Sequence, residues 1–317
     1  MQRRRFIKIL AGSTAALSLG KVRAASSIDP VYWRGYALGA EGCVTLYTDH
    51  TSKAQSVLQQ CLTEIVRLEK CFSLYDNESE LCQLNRIGYL ANPSADWYGL
   101  LDAVELTHKQ TNGLFDPTIQ PLWQLYADHF AAHPSRTDGP SAQSIRNTLT
   151  HTGWKHVEWK RSHICLKQQN MRLSLNGIAQ GYITDRISQL LQDNGFQHVL
   201  VELGETRAIG CHPTLRPWQI GIKNAKDTTQ LRDIAELDNQ ALATSGSYDS
   251  TFSADGSYHH LIHPQTGLPA TRWSSLSVIA PTATQADALS TGLSFATATQ
   301  IDQLLAQNRK IRILKQA

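Results

Sequence analysis

The sequence predicts an α+β protein that folds as a single domain of two lobes, and three observations support this prediction. The chain has 317 residues, 41% hydrophobic and 18% charged, which is enough apolar material for a large core. Short strand-like segments are interspersed with amphipathic helical segments over most of its length. No internal repeat, low-complexity tract or interdomain linker divides the sequence.

Residues 1–24 are predicted to be a twin-arginine export signal. Arg-Arg-Arg-Phe-Ile-Lys at residues 3–8 precedes a mildly apolar run that is too short and too polar to span a bilayer. Val-Arg-Ala at residues 22–24 fits an Ala-type cleavage signal. We therefore expect a mature domain at residues 25–317 that is exported to the periplasm and does not span the membrane. A Sec signal or an uncleaved anchor is the alternative.

The formal net charge of +3 depends on this leader. Six of the 30 basic residues lie in residues 1–24 and no acidic residue does, so 24 basic residues face 27 acidic ones in the mature part, a net charge of −3. No basic stripe interleaved with aromatic residues is present, so no nucleic-acid partner is predicted. The six cysteines match no zinc-site spacing; we expect mostly structural thiols, with at most one disulfide of undetermined pairing.

The first helices are predicted from apolar periodicity. Residues 31–47 are predicted to be a strand region, and residues 52–68 an amphipathic helix with a scaffold role. Residues 97–111 form a second predicted helix, which Asn112-Gly113 ends. The remaining predicted elements are a short capped helix ending near residue 85, a surface loop at 129–144, a hairpin at 155–167, and strands at 198–203 and 218–222.

Residues 172–185 form the central stretch of the sequence. A short apolar strand breaks at Asn176-Gly177, and helical spacing then continues to Leu191. Backbone N–H groups at such a helix start are unpaired, and the helix macrodipole favours an anion there, most often a phosphate. A turn that packs the sheet and binds nothing is the alternative.

Four further stretches follow a fixed order around this one. They are Asn-Gly-Leu-Phe-Asp-Pro-Thr at 112–118, Ala-Thr-Ser-Gly-Ser-Tyr at 243–248, His-His-Leu-Ile-His-Pro-Gln-Thr-Gly at 259–267 and Ala-Asp-Ala-Leu-Ser-Thr at 286–291. With the central stretch, this ordered set resembles the ApbE family, the FAD:protein FMN transferases. The resemblance implies a T-fold-like domain with the flavin site between two lobes. It also implies an enzyme that binds FAD and Mg²⁺, splits the pyrophosphate, and leaves FMN on a threonine or serine of another protein.

The resemblance also implies roles for individual residues. The positions expected to contact the flavin substrate are Leu38, Tyr75, Leu114, Phe115, Asp116, Ser174, Gln180 and Ile262. His260 matches the functional histidine of the family and is expected to be the general base, because histidine titrates closest to working pH; His259 is the alternative. Asp287 and Thr291, four residues apart on a predicted helix, are expected to bind Mg²⁺ with the main-chain carbonyl of Gly177.

Three positions depart from the family pattern, which usually has aspartate at Ser174, lysine at Gln180 and aspartate at His263. Two interpretations stay open: the changes compensate one another, or they mark a branch with weakened catalysis or a single client. Ser-Leu-Asn-Gly-Ile-Ala-Gln-Gly at 174–181, together with the leader, is similar to NosX-type members associated with nitrous oxide reduction. That similarity implies a membrane-anchored client flavoprotein of the NosR kind.

Two other functions fit the same residues. An FAD pyrophosphatase would use water in place of the protein hydroxyl and release FMN and AMP. A periplasmic flavin-binding or assembly protein would keep the site without the activity. Glu205 and Arg207 follow a predicted strand, and either an ion pair between them or a place in the site fits the sequence.

Overall fold

The computed structural model describes residues 8–10, 29–37 and 40–317. Its strands are β1 (Lys8–Leu10), β2 (Pro30–Ala37), β3 (Ala40–Tyr47), β4 (Tyr89–Ala91), β5 (Val157–Lys160), β6 (His163–Leu166), β7 (Val199–Leu203), β8 (Glu205–Ile209), β9 (Trp218–Asn224), β10 (Asp227–Leu237), β11 (Ala241–Gly246), β12 (Ser275–Ala280) and β13 (Arg312–Gln316). Eight of them form one antiparallel sheet in the order β1-β2-β3-β7-β8-β11-β12-β13. β1 lies within the predicted leader, and the rest of that leader lies outside the described residues.

The helices are α1 (Thr51–Phe72), α2 (Glu80–Ile87), α3 (Ala95–Gln110), α4 (Gln120–Ala132), α5 (Ala142–Leu149), α6 (Ala179–Asp193), α7 (Ala283–Leu293) and α8 (Ala298–Gln307). Single 3₁₀ turns lie at Pro117–Ile119 and Trp154–His156. None of these described helices is both long and apolar enough to cross a membrane. The mixture of helices with an antiparallel sheet confirms the predicted α+β class.

The largest core lies between one face of the sheet and the helices α1, α3 and α6. Side chains alternate along a strand, so Val199, Val201 and Leu203 of β7 face this core. Leu200 points to the opposite face, where the β9–β10 hairpin covers the sheet with Trp218. Because both faces are buried over its first three residues, β7 begins with a continuous apolar run from Val199 to Val201, and Glu202 is only partly buried.

The two lobes are distinguished by their cores. In the sheet lobe, α7 and α8 pack on β11 to β13 around residues such as Leu276 and Leu289. The smaller lobe consists of α4, α5 and the segment 252–262, and its core contains Tyr126 and Phe130. The Tyr126 hydroxyl donates a 2.7 Å hydrogen bond to the Gly267 carbonyl, which ties α4 to the loop that follows this segment.

Some predicted elements differ from the structure. The predicted loop at 129–144 is shorter, because α4 continues to Ala132 and α5 begins at Ala142, where the hydroxyl of Ser141 accepts from the Ser144 N–H at 3.1 Å. β10 was not predicted. All six cysteines are free thiols.

Candidate functional site

A cavity of about 610 Å³ opens between the two lobes. Every predicted site residue except one lines it: Tyr75, Leu114, Phe115, Asp116, Ser174, Gly177, Gln180, His260, Ile262, Asp287 and Thr291. The exception, Leu38, lies outside the described residues. The fold therefore brings together side chains that are separated by more than 200 positions in the sequence.

The contact between α6 and α7 holds Asp287 in place. The backbone N–H of Gly181, in the first turn of α6, donates a 3.0 Å hydrogen bond to Asp287 Oδ2. The helices approach so closely that a Cβ on Gly181 would collide with the Ala283 carbonyl and lie 2.8 Å from the Asp287 Cβ. Asp287 is only 3% exposed, so its carboxylate is presented from a rigid, buried position.

Asp185 fixes the start of α7 from the neighbouring helix. Its Oδ1 accepts from the Ala283 N–H at 2.8 Å, and its Oδ2 accepts from the N–H and the hydroxyl of Thr284 at 2.8 and 2.6 Å. A carboxylate at a helix N-terminus satisfies unpaired N–H groups and opposes the positive end of the macrodipole. The central stretch thus positions α7 through a glycine and an aspartate.

The three predicted metal-binding positions lie side by side. A Cβ on Gly177 would be 2.8 Å from Thr291 Oγ1, so the backbone of Gly177 lies directly against this hydroxyl. Thr291 follows Asp287 by one turn of α7, and its Oγ1 lies 3.3 Å from Ser245 Oγ. Carboxylate, hydroxyl and main-chain carbonyl oxygens are hard ligands of the kind that Mg²⁺ prefers.

Burial raises the pKa of Asp287, and the charge of Asp185 acts in the same direction, while the Gly181 N–H opposes the shift. A buried carboxylate is costly to ionise unless a positive charge lies nearby, so this one favours a cation. Among the described residues, no group of three or more His, Cys, Asp or Glu side chains has the arrangement of a metal site. A cation here would rely on one carboxylate and on neutral oxygens.

His260 presents a free ring nitrogen to the cavity. Its Nδ1 lies 3.1 Å from the Ser250 carbonyl oxygen, and since a carbonyl only accepts, Nδ1 carries the proton. Nε2 is then the unprotonated nitrogen of the neutral ring. Burial lowers the pKa of His260, and the hydrogen bond to Ser250 only partly opposes this, so the neutral form is favoured at pH 7.

The neighbouring histidines have different roles. His259 is 3% exposed, and its Nε2 lies 2.9 Å from the Ala270 carbonyl, while its Nδ1 accepts from the Leu261 N–H at 3.3 Å. Both of its ring nitrogens are occupied, so the geometry does not support His259 as the base. His263 accepts from the Gln265 N–H at 3.1 Å, and its ring packs against Phe295.

Two aromatic residues border the predicted flavin position. Tyr75 is 75% exposed at the cavity rim, and its hydroxyl accepts a 3.2 Å hydrogen bond from Asn176 Nδ2. Phe115 is 3% exposed and lines the same cavity from the turn that follows α3. An exposed ring held at its hydroxyl offers a flat face on which a planar ring can stack.

The Asp116 carboxylate maintains the shape of the turn. Its Oδ1 accepts from the N–H and the hydroxyl of Thr118 at 2.9 and 2.6 Å, and its Oδ2 accepts from the Trp154 N–H at 3.1 Å. The Thr118 hydroxyl in turn accepts from the Gly153 N–H at 2.7 Å. Asp116 therefore borders the cavity mainly as part of a rigid turn.

Glu205 lines the cavity, although its role could not be decided from the sequence. It is the first residue of β8 and follows Gly204, whose φ of +91° suits glycine. The Gln180 side chain occupies the space that a Cβ on Gly204 would take. All three residues line the cavity. Burial raises the pKa of Glu205 well above its usual value, as do the charges of Asp287 and Asp249.

Arg207 does not pair with Glu205; its Nε lies 3.8 Å from Asp185. The open alternative of a Glu205–Arg207 ion pair is therefore wrong.

Known proteins share this sequence pattern and this fold. The sequence model of the ApbE family matches residues 38–314. The chain belongs to the ApbE family. A relative from Klebsiella pneumoniae named FAD:protein FMN transferase is 26% identical over 276 residues, covering 83% of this chain and 75% of the relative. One of the same name from Treponema pallidum is 29% identical over 264 residues, covering 76% and 71%.

The fold agrees with solved structures of the ApbE family. The crystal structure of the ApbE protein from Thermotoga maritima superposes with a TM-score of 0.79 at 28% identity, covering 90% of this chain and 94% of that one. The expected single ApbE-like α+β domain is thereby confirmed.

Proposed function

We propose that this chain is a Mg²⁺-dependent FAD:protein FMN transferase. One observation carries the proposal: a single cavity holds the free Nε2 of His260 together with the buried Asp287, the Thr291 hydroxyl and the backbone of Gly177. The names of the family relatives support the same activity. The cavity volume of about 610 Å³ lies within the range of sites for small molecules and cofactors.

The reaction transfers FMN from FAD to a client protein. The hydroxyl oxygen of a client threonine or serine attacks the FMN-side phosphorus, a new O–P bond forms, and the bond to the bridging oxygen breaks. AMP leaves with that oxygen, and His260 Nε2 takes the proton of the attacking hydroxyl. His260 is suited to this step because its neutral ring presents a lone pair at Nε2.

The residues around Asp287 fit a magnesium ion. Asp287, Thr291 and the Gly177 carbonyl would hold it, and its charge would neutralise the pyrophosphate and stabilise the departing AMP. Gly177 is required here because any side chain at that position would collide with Thr291. Asp185 and Gly181 hold α7 in position through hydrogen bonds, and with it the side chains of Asp287 and Thr291.

The flavin is expected to lie along the wall formed by Tyr75 and the turn from Leu114 to Asp116. Ser174, Gln180 and Ile262 border the same space, and the exposed face of Tyr75 is positioned to stack on the isoalloxazine ring. The pyrophosphate would then lie near the start of α6, where the positive end of the helix macrodipole favours an anion. The N–H groups of Ile178, Ala179 and Gly181 are already hydrogen-bonded within the protein, so they are not free to bind it.

The client is proposed to be a membrane-anchored, periplasm-facing flavoprotein of the NosR kind. This part of the proposal rests on the twin-arginine pattern of residues 1–24 and on the Ser-Leu-Asn-Gly-Ile-Ala-Gln-Gly motif. Expression with the leader, followed by mass spectrometry of the periplasmic protein, tests the export on which this client depends: a mature chain starting near residue 25 is expected. Replacing Arg4 and Arg5 by lysine would leave the protein in the cytoplasm if the twin-arginine route is used.

The purified protein, incubated with FAD, MgCl₂ and a client domain, is expected to produce a fluorescent flavin band at the mass of the client in a denaturing gel. Free FMN without a labelled client would indicate hydrolysis by a pyrophosphatase. Unchanged FAD bound to the protein would indicate a non-catalytic flavin-binding protein.

Two variants test the metal assignment against a matched control. Asp287→Asn keeps the shape of the side chain and Thr291→Val removes only the hydroxyl, and both are expected to abolish Mg²⁺-dependent labelling. Thr291→Ser keeps the hydroxyl and is expected to retain most of it. Full activity with unchanged Mg²⁺ dependence in both Asp287→Asn and Thr291→Val would refute the assignment.

A further inference from the structure

A second cavity, of about 340 Å³, lies at the other end of the sheet. It is lined by Arg207, Asn239, Gln240, Pro281, Arg309, Lys310 and Arg312, and it shares no lining residue with the first cavity. β11 runs from one cavity to the other: Gln240, just before the strand, lines the second cavity, and Thr244, within the strand, lines the first. Four residues of extended chain correspond to about 13 Å, so the two cavities are separate sites.

The lining of this second cavity is strongly basic. Four of its seven residues are arginine or lysine and none is acidic, although the chain after residue 24 has a net charge of −3. Within the described part of the chain, no carboxylate oxygen lies within 4.0 Å of a side-chain nitrogen of Arg309, Lys310 or Arg312. Like charges gathered in one concave surface create a positive potential that concentrates anions.

Neutral acceptors hold the guanidinium groups of Arg207 and Arg312 in place. Arg207 is 11% exposed; its Nη1 donates to the Ala208 carbonyl at 2.6 Å and its Nη2 to Asn239 Oδ1 at 3.2 Å. The nearest carboxylate, Asp185, lies 3.8 Å from Nε and already accepts three hydrogen bonds from the start of α7. The positive charge of Arg207 is therefore only partly compensated, and burial lowers the pKa of Arg207 in spite of Asp185.

Arg312 lines the cavity from β13 and is exposed. Its Nη2 donates to the Glu236 carbonyl at 2.7 Å and to Gln240 Oε1 at 3.2 Å. These bonds fix the planar group without neutralising it. Arg309 and Lys310, in the exposed turn between α8 and β13, form the rim.

We propose that this cavity binds a phosphate-bearing anion at a site separate from the flavin cavity. Pre-positioned guanidinium groups match the paired oxygens of a phosphate, and a lysine adds a mobile point charge. The volume accommodates a diphosphate or the phosphate head group of a lipid. The proposal does not depend on the transferase activity, because none of these residues belongs to the flavin cavity.

Calorimetric titration with inorganic pyrophosphate tests the proposal. The full chain is first saturated with FAD in EDTA, so that the flavin cavity is filled, and ionic strength is held constant. Saturable binding with one site per chain is expected, and the double variant R309E/K310E is expected to weaken it at least tenfold. The matched control K226E/R232E makes the same charge change on the exposed β9–β10 hairpin and is expected to bind as wild type.

Equal affinity in all three proteins, or no saturable binding to any phosphate source, would overturn the proposal. Flotation with vesicles of phosphatidylglycerol and phosphatidylcholine distinguishes the sources. Vesicle binding that is lost in R309E/K310E but kept in K226E/R232E assigns the cavity to a lipid head group. Pyrophosphate binding without vesicle binding assigns it to a soluble phosphate compound. If both variants bind vesicles equally and R309E/K310E does not weaken pyrophosphate binding, the result contradicts the proposed site.

Discussion

Replacing Gly181 by alanine tests whether the α6–α7 contact controls the candidate site. The added Cβ would collide with the Ala283 carbonyl and lie 2.8 Å from the Asp287 Cβ. Neither neighbour is the end of a flexible side chain, so the two helices must separate. The hydrogen bond from the Gly181 N–H to Asp287, now 3.0 Å, is expected to lengthen as they do.

The size of the effect follows from two opposing contributions. Overpacking at a tight contact costs about 1–3 kcal/mol, whereas replacing glycine by alanine within a helix stabilises by about 0.5–1 kcal/mol. We expect a net loss of about 1–2 kcal/mol in the free energy of unfolding. At about 2–4 °C per kcal/mol for a domain of similar size, this corresponds to a decrease in Tm of about 2–8 °C.

Activity should decrease more than stability, because a displacement of about 1 Å in a catalytic group can reduce a rate by about 10²-fold. The measurements are thermal unfolding and gel-based client labelling below the Tm. Gly99→Ala in α3 is the matched control, since its Cβ would meet only the Tyr182 side chain, with the hydroxyl at 3.2 Å. That variant should unfold within about 1 kcal/mol of wild type. Wild-type stability and labelling in Gly181→Ala would refute the argument.

His260→Ala is expected to slow labelling by about 10²–10⁴-fold while FAD still binds, as a fluorescence titration would show. His259→Ala should instead leave labelling per folded molecule unchanged and cost about 1–3 kcal/mol of stability, because the buried Ala270 carbonyl loses its donor; slower labelling at unchanged stability would reverse the two assignments. Because burial lowers the pKa of His260, the base is unprotonated at neutral pH, and the rate should fall with acidification only below the ordinary histidine value of 6.5. A rate that already declines above pH 6.5 would contradict this. Tyr75→Ala should raise the Kd for FAD while Tyr75→Phe keeps it near wild type, and equal losses in both would point to the hydroxyl rather than the ring face.

Much of the fold could be predicted because its longest helices carry a clear apolar period. Residues 52–68 and 97–111 were predicted as helices and are found as α1 and α3, with buried stripes that include Ile65 and Leu100. α5 was missed because the Pro and Gly residues near it indicate a loop. β10 was missed because only Ala235 and Leu237 of its residues are buried, so no alternation marks it as a strand.

The candidate site was predictable where short motifs form turns, and less so where a single side chain matters. Asp287 and Thr291 could be paired from their spacing, since residues four apart share a helix face. Only the family resemblance favoured His260 over His259, because residue type does not separate two adjacent histidines. The coordinates place His260 at the cavity and bury His259. Glu205 was left without a role because its place in the cavity depends on how β8 meets α6.

The substitutions at Ser174 and Gln180 are better explained as compensation than as loss of the site. Both residues border the cavity, and the Ser174 N–H anchors its segment to the Pro117 carbonyl at 2.7 Å. Gln180 lies against Gly204, next to Glu205, whose pKa burial raises well above its usual value. A neutral amide beside a carboxyl group that favours its neutral form requires no counter-ion, whereas a lysine there would favour the ionised carboxylate. The wall thus keeps its charge balance without the aspartate and lysine of the family pattern, and the carboxylate of Asp287 lines the same cavity.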